Sequence, residues 1–172
     1  MLEAFARKIN RVVEFLLFIF LSVMTIVVAL QVLFRYVINE PLFWTEELAR
    51  YLMIYIVYMG ASVGVRWGSH VGFTFFVGRI SPALAKWLAI IANLGLLAFT
   101  LNFIYYGLQI ALQNYDQLSG AMEIPMTYLF MVLPISGVLI IIQLLPHLER
   151  QFKELKELRN SVKSKRTRGG TP

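Results

Sequence analysis

The sequence has no cysteine, only two histidines, and only 15% charged residues. Without cysteine there is no disulfide, no thiolate metal site and no cysteine nucleophile. His70 and His147 are too far apart in the chain to suggest a metal site, and haem would want paired histidines on facing helices. No phosphate-binding loop, internal repeat or soluble domain is visible, and no carboxylate pair is set up for acid–base chemistry. Neither an enzyme nor a cofactor is expected. What the chain does have is apolar length: 58% of its 172 residues are hydrophobic, far beyond an ordinary soluble domain of this size.

That apolar content falls into four stretches. Residues 1–14 make a short amphipathic lead-in, with Leu2, Phe5, Ile9, Val12 and Val13 spaced along one face. They lack a small-residue cleavage site after a compact apolar core, so a removed signal peptide is not expected. Phe15–Phe34 then offers 20 uncharged residues, enough for one span. Glu14 at its edge could serve as a membrane carboxylate of the kind small proton-coupled exporters use, or pair with Arg11 in the interface. A second run, Tyr51–Val65, is about 22 Å long as a helix, short of a hydrocarbon core of roughly 30 Å. To cross, it must recruit the preceding turns. Trp87–Tyr115 holds 29 uncharged residues, so it must tilt or protrude. The last run covers Ile124 to about Leu145. There Glu123-Ile-Pro125 resembles a helix start, and Pro134 is expected to kink the helix by removing a backbone bond.

The expected fold is therefore an all-α integral membrane protein of four transmembrane helices, with spans near 13–34, 42–65, 87–114 and 124–146. Residues 1–148 form the membrane domain and 149–172 a basic tail that begins as an amphipathic helix. The positives set the orientation. Three Lys/Arg lie in the N-terminal segment, three in 66–86 and eight in the tail, whereas the other two loops carry only Arg35 and Arg50. Both termini are thus expected in the cytoplasm. The net charge of +6 follows from this topology and does not call for nucleic acid.

Between the first two apolar runs lies the densest set of informative residues, Asn39-Glu-Pro-Leu-Phe-Trp44-Thr-Glu46-Glu47-Leu-Ala-Arg50. Either Pro41 occupies the first helical turn or Thr45 serves as the N-cap. Glu46 lies four residues before Arg50 and Glu47 three, so both can pair with it. At 100° per residue Glu46, Arg50, Met53, Val57, Gly60 and Gly64 fall in one stripe about 80° wide. Gly60-Ala-Ser-Val-Gly64 is a GxxxG, a pattern that lets membrane helices approach closely. The stripe reads as a docking face, either for a partner or for this chain's own helices. Arg66, Trp67 and His70 follow at the inner end. His70 reads as an interfacial hydrogen-bonding group, because no membrane-embedded acid is visibly paired with it. On the third run Gly95, Asn102, Tyr106, Gln109 and Gln113 share a face. That face is expected to supply interhelical hydrogen bonds, the other reading being a substrate lining.

Taken in order, Trp44, Glu46-Glu47-x-x-Arg50, Gly60-Ala-Ser-Val-Gly-Val-Arg66 and Ser69-His70-Val resemble the small membrane subunit (DctQ type) of tripartite ATP-independent periplasmic, or TRAP, transporters. Ile124-Pro125, Tyr128, Leu133-Pro134 and Gly137 resemble that family's fourth helix, and the likeness extends over residues 10–150. The chain departs from the pattern at Phe73-Thr74, where an acidic residue often follows the histidine segment. The resemblance implies a non-catalytic subunit in a bacterial inner membrane, among membrane phospholipids. It would brace a large subunit that carries the substrate and sodium sites. A periplasmic substrate-binding protein would deliver an organic acid anion to the pair. No substrate-binding or catalytic residue carries over, because the family keeps those in the partner. A self-sufficient homo-oligomeric exporter or channel, using Glu14 or the amide face, is the alternative.

Overall fold

The structure, a computed structural model, describes residues 2–68 and 82–168. His70 and Arg79 lie outside the described residues. Four helices are long and apolar enough to cross a membrane, over Leu2–Ile38, Phe43–Trp67, Trp87–Gln113 and Thr127–Lys153. Among the described residues there is no strand, only one isolated antiparallel bridge between Leu118 and Pro125.

Helix α1 (Leu2–Leu33) carries the amphipathic lead-in straight into the first span, and a wider π turn (Phe34–Ile38) continues it. Together they cover 37 residues, or about 55 Å at the α-helical rise, so one end projects beyond the hydrocarbon. Asn39 ends the run with φ 60°, a left-handed conformation that asparagine tolerates better than most residues. Helix α2 (Phe43–Gly68) follows, then α3 (Pro82–Gln113), the single turn α4 (Thr127–Phe130) and α5 (Val132–Arg168).

α1, α2 and α5 form a three-helix cluster, and α3 joins it chiefly through α5. The cluster's core is Val13, Met59 and Val132, with Phe20, Ile54, Tyr55, Leu133 and Leu139 packed around them. The α3–α5 seam is tight for a different reason. A Cβ on Gly107 would lie 2.7 Å from Leu133 Cβ, and one on Gly137 would collide with Ile104 Cγ1. These two glycines let the backbones meet, the usual role of small residues between membrane helices.

Several helix boundaries differ from the sequence reading. α2 begins at Phe43, so Pro41 precedes it and Thr45 lies inside the first turn. The Thr45 hydroxyl donates backwards to the Leu42 carbonyl at 2.6 Å. Pro125 is not a helix start either. It sits in the bridge to Leu118, Met126 N–H donates to Gln117 O at 2.8 Å, and the helix opens at Thr127. The break in the fourth span falls at Met131, between α4 and α5. Pro134 lacks the N–H that would reach the Phe130 carbonyl beside that break, while Met131 N–H to Thr127 O at 2.9 Å and Ile135 N–H to Met131 O at 3.2 Å carry the helical bonding past it. Pro146 lies within α5, which runs on into the basic tail without stopping.

Candidate functional site

At the end of the bundle away from the termini, α2 and the 117–126 turn are held together by Glu47. Its Oε2 accepts the backbone N–H groups of Ala121 and Met122 at 2.7 and 3.0 Å. Its Oε1 accepts the Tyr51 hydroxyl one helical turn on. The turn is closed on itself by Ser119 N–H donating to Ile124 O at 2.9 Å and by Ile124 N–H donating to Ser119 Oγ at 3.3 Å. Glu123 adopts φ 54° to make the corner. Arg50 does not share both carboxylates as its spacing allowed. It donates to Glu46 at 3.1 Å on an exposed surface, and Glu47 is taken by the loop. A cleft of about 430 Å³ lies over this knot, lined by Phe43, Glu46, Arg50, Gln117 and Gly120 among others. One turn further along, the Tyr55 hydroxyl donates to the Tyr128 carbonyl, tying α2 to the α4 turn.

The opposite end carries a second polar knot. Gln143, only 2% exposed, receives Arg66 Nη1 on its Oε1 at 3.0 Å and donates from Nε2 to the Ala6 carbonyl at 3.2 Å. One amide therefore joins α1, α2 and α5. Beside it Glu14 accepts Asn10 Nδ2 at 2.7 Å and Trp67 Nε1 at 3.3 Å. The expected Glu14–Arg11 ion pair is absent among the described residues, because these two neutral donors satisfy the carboxylate. Asn93 Nδ2 donates to Gln151 Oε1 at 2.9 Å, fastening α3 to α5 at the same end.

Sequence reasoning missed Gln143. A signal was present, since it is the only amide in the apolar stretch from Val132 to Leu145. A lone amide at such depth needs partners on neighbouring helices.

The two glycines of the GxxxG segment bring no helices together among the described residues, although Ser62 and Val63 between them face the core. Gly60 and Gly64 have nothing within 4 Å of a Cβ position. Met53 is 51% and Val57 61% exposed, on the same outward side as Glu46 and Arg50. Trp44 is also exposed, but on the other side of α2 from Glu46. The amide face of α3 also turns outward. Asn102 donates only to Ala98 O of its own helix, at 2.9 Å. Gln109 and Gln113 are exposed, and neither makes a side-chain hydrogen bond among the described residues. The interhelical bonds expected of this face are thus not made within the chain. Among the described residues no three His, Asp or Glu side chains cluster to hold a metal ion.

These features define a multi-pass membrane component. Its inward polar groups are spent on tying helices together, and the α2 stripe and the α3 amide face turn outward. The chain belongs to the family described as tripartite ATP-independent periplasmic transporters, DctQ component, which matches residues 24–154. It is a transporter component and not an enzyme. It is 29% identical to a putative TRAP transporter small permease protein of Haemophilus influenzae, over 81% of this chain and 87% of that protein. It is 27% identical to the sialic acid TRAP transporter small permease protein SiaQ of Vibrio cholerae, over 91% and 89% respectively. A third relative, the sialic acid TRAP transporter permease protein SiaT of Haemophilus influenzae, is 30% identical over 78% of this chain but only 22% of its own length.

Proposed function

We propose that the chain is the non-catalytic small permease subunit of a TRAP transporter, bracing a large transport subunit during sodium-coupled uptake of an organic acid anion. A periplasmic binding protein would deliver that anion to an inner-membrane complex. The observation that carries the proposal is the alignment with SiaT. A region like this chain accounts for about a fifth of that permease, which leaves most of its length for a much larger partner unit. Sialic acid, named for two relatives, is a carboxylic acid, in keeping with an acid anion as cargo.

In this reading α2 supplies the contact. Trp44, Glu46, Glu47 and Arg50 shape its outer end, and Gly60 and Gly64 leave room for a partner backbone lower down. Arg66 acts at the inner end by securing the bundle through Gln143. Asn102 and Gln109 are held for an interhelical contact with a neighbouring chain. Surrounding phospholipids complete the seal.

The test is mild-detergent purification of the tagged chain from its native membranes, with mass spectrometry of what stays bound. A stoichiometric and much larger polytopic protein is the expected result. Arg50→Glu should leave insertion and protein level unchanged and reduce co-purification and uptake about tenfold, since it sets three carboxylates together at the docking end. A clean homo-oligomer that transports by itself in liposomes would overturn the proposal.

A further inference from the structure

The outward faces of α2 and α3, which the sequence presents as separate features, lie on one side of the molecule. Tyr58 of α2 stacks on Phe103 of α3, with ring centroids 5.8 Å apart and planes at 29°. That contact sets which sides of the two helices face each other. α5 lies to one side of it. On α3, Ile104 and Gly107 meet Gly137, Leu133 and Pro134 of α5, and on α2, Arg66 meets Gln143. At 100° per residue, Arg50, Met53, Val57, Ala61 and Gly64 are rotated about 60–140° from Tyr58 in the sense opposite to Arg66. Gly95, Asn102, Tyr106, Gln109 and Gln113 are rotated about 60–120° from Phe103 in the sense opposite to Ile104. The two helices run antiparallel, because the start of α2 and the end of α3 both border the 117–126 turn. Counted along each chain the two rotations have the same sense, and on antiparallel helices that face each other such rotations point the same way. Both sets therefore face away from α5.

The chemistry of this side differs from that of α1. The outward residues of α1 include Phe15, Phe18, Leu21, Ile26 and Val28, and the Ser22 and Thr25 hydroxyls among them donate to carbonyls of their own helix at 2.8 Å, so this face suits acyl chains. The α2–α3 side carries Asn102 about 16 Å from the end of its helix, near the middle of the span. There an amide oxygen facing lipid has nothing to bond. Gln109 and the exposed Tyr106 add further unused donors and acceptors.

Resting on the proposed role as a small subunit, we infer that this composite α2–α3 face is where a transmembrane helix of the large permease subunit lies. Polar groups on that helix answer Asn102, Tyr106 and Gln109, and Gly60, Gly64 and Gly95 give its backbone room. The fused relative supports that occupant over a second copy of this chain. There a region of this kind is part of one polypeptide with the larger permease portion, so the larger unit is permanently at hand. α1 is the side that faces lipid.

The experiment places a photo-crosslinking phenylalanine analogue singly at Val57, Tyr106 or Gln109, and at Phe18 as the α1 control. The full chain is irradiated in its native membranes with its partners present. The expected result is an adduct with the mass of this chain plus the large subunit from the first three positions and none from Phe18. Asn102→Leu combined with Gln109→Leu should reduce co-purification of the large subunit about five- to tenfold while the chain still inserts. Adducts from Phe18 but not from the α2–α3 positions, in membranes where the large subunit still co-purifies, would overturn this inference and leave the small-subunit role standing. Adducts of twice this chain's mass, or with lipid alone, at Val57, Tyr106 and Gln109 would overturn it as well. Absence of any large subunit from the purified material would overturn the role itself and this inference with it.

Discussion

Glu47 holds the 117–126 turn through the N–H groups of Ala121 and Met122, whereas its neighbour Glu46 meets only Arg50 on an exposed surface. Charge-assisted bonds from a carboxylate to backbone N–H groups are among the stronger hydrogen bonds, and an exposed i,i+4 ion pair contributes little. Glu47→Ala should therefore release the turn, with the Ala121 and Met122 amides exchanging hydrogen about tenfold faster. Glu46→Ala should leave those amides as they are. Equal exchange in the two variants would remove Glu47 from its place as the anchor of this turn. The difference between the two residues was not legible in the sequence. Spacing on a helix relates Glu46 and Glu47 to Arg50, but the partners that decide the matter are 74 and 75 positions away. Gln143 shows the same limit: its isolation in an apolar run can be read, but that it would meet both Arg66 and the Ala6 carbonyl cannot.

Among the elements, the four apolar runs and their order were plain from length and charge, because a bilayer admits few alternatives. Which glycines bring helices together was not. Gly60 and Gly64 form a recognisable motif, yet a Cβ on either would meet nothing within 4 Å among the described residues, while Gly107 and Gly137 form no motif and make the α3–α5 seam. A motif records that a helix can be approached closely, but not by which chain. Substitution separates the two sets. Gly107→Ala should destabilise the chain in detergent by about 1–3 kcal/mol, since its Cβ would meet Leu133 Cβ and Pro134, which cannot rotate away. Gly137→Ala should cost less, although its nominal contact is shorter, because it meets the outer atoms of Ile104, which can change rotamer. Gly64→Ala should leave the isolated chain as stable or raise its stability by up to about 1 kcal/mol through helix propensity. Its effect should fall instead on assembly. Unfolding midpoints of the purified chain, set beside the yield of complex, check all three. A destabilised Gly64→Ala chain with normal assembly would reverse the assignment of the outward face.

For the whole molecule, the two polar knots give the bundle two distinct ends, one holding both the N-terminus and the basic tail, the other the Glu47 turn. Helix packing alone does not say which end faces the cytoplasm, since the contacts are the same either way up. The charge count does. Of the described Lys/Arg, thirteen lie at the end with the termini and two at the other, a bias that predicts both termini inside. The absence of cysteine makes the test direct, because any introduced thiol is the only one in the chain. Gly120 suits the outer position: it is exposed and a Cβ there meets nothing within 4 Å. Gly120→Cys should react with a membrane-impermeant maleimide in intact cells whose outer membrane is permeable to the reagent. Ser161→Cys in the tail should react only after the inner membrane is opened. The reverse pattern would turn the Glu46–Arg50 end to the cytoplasm, away from any periplasmic binding protein. The α2–α3 face would still seat a large subunit in that orientation, so such a result would bear on the topology and on contact with a binding protein, not on the packing of the two membrane subunits.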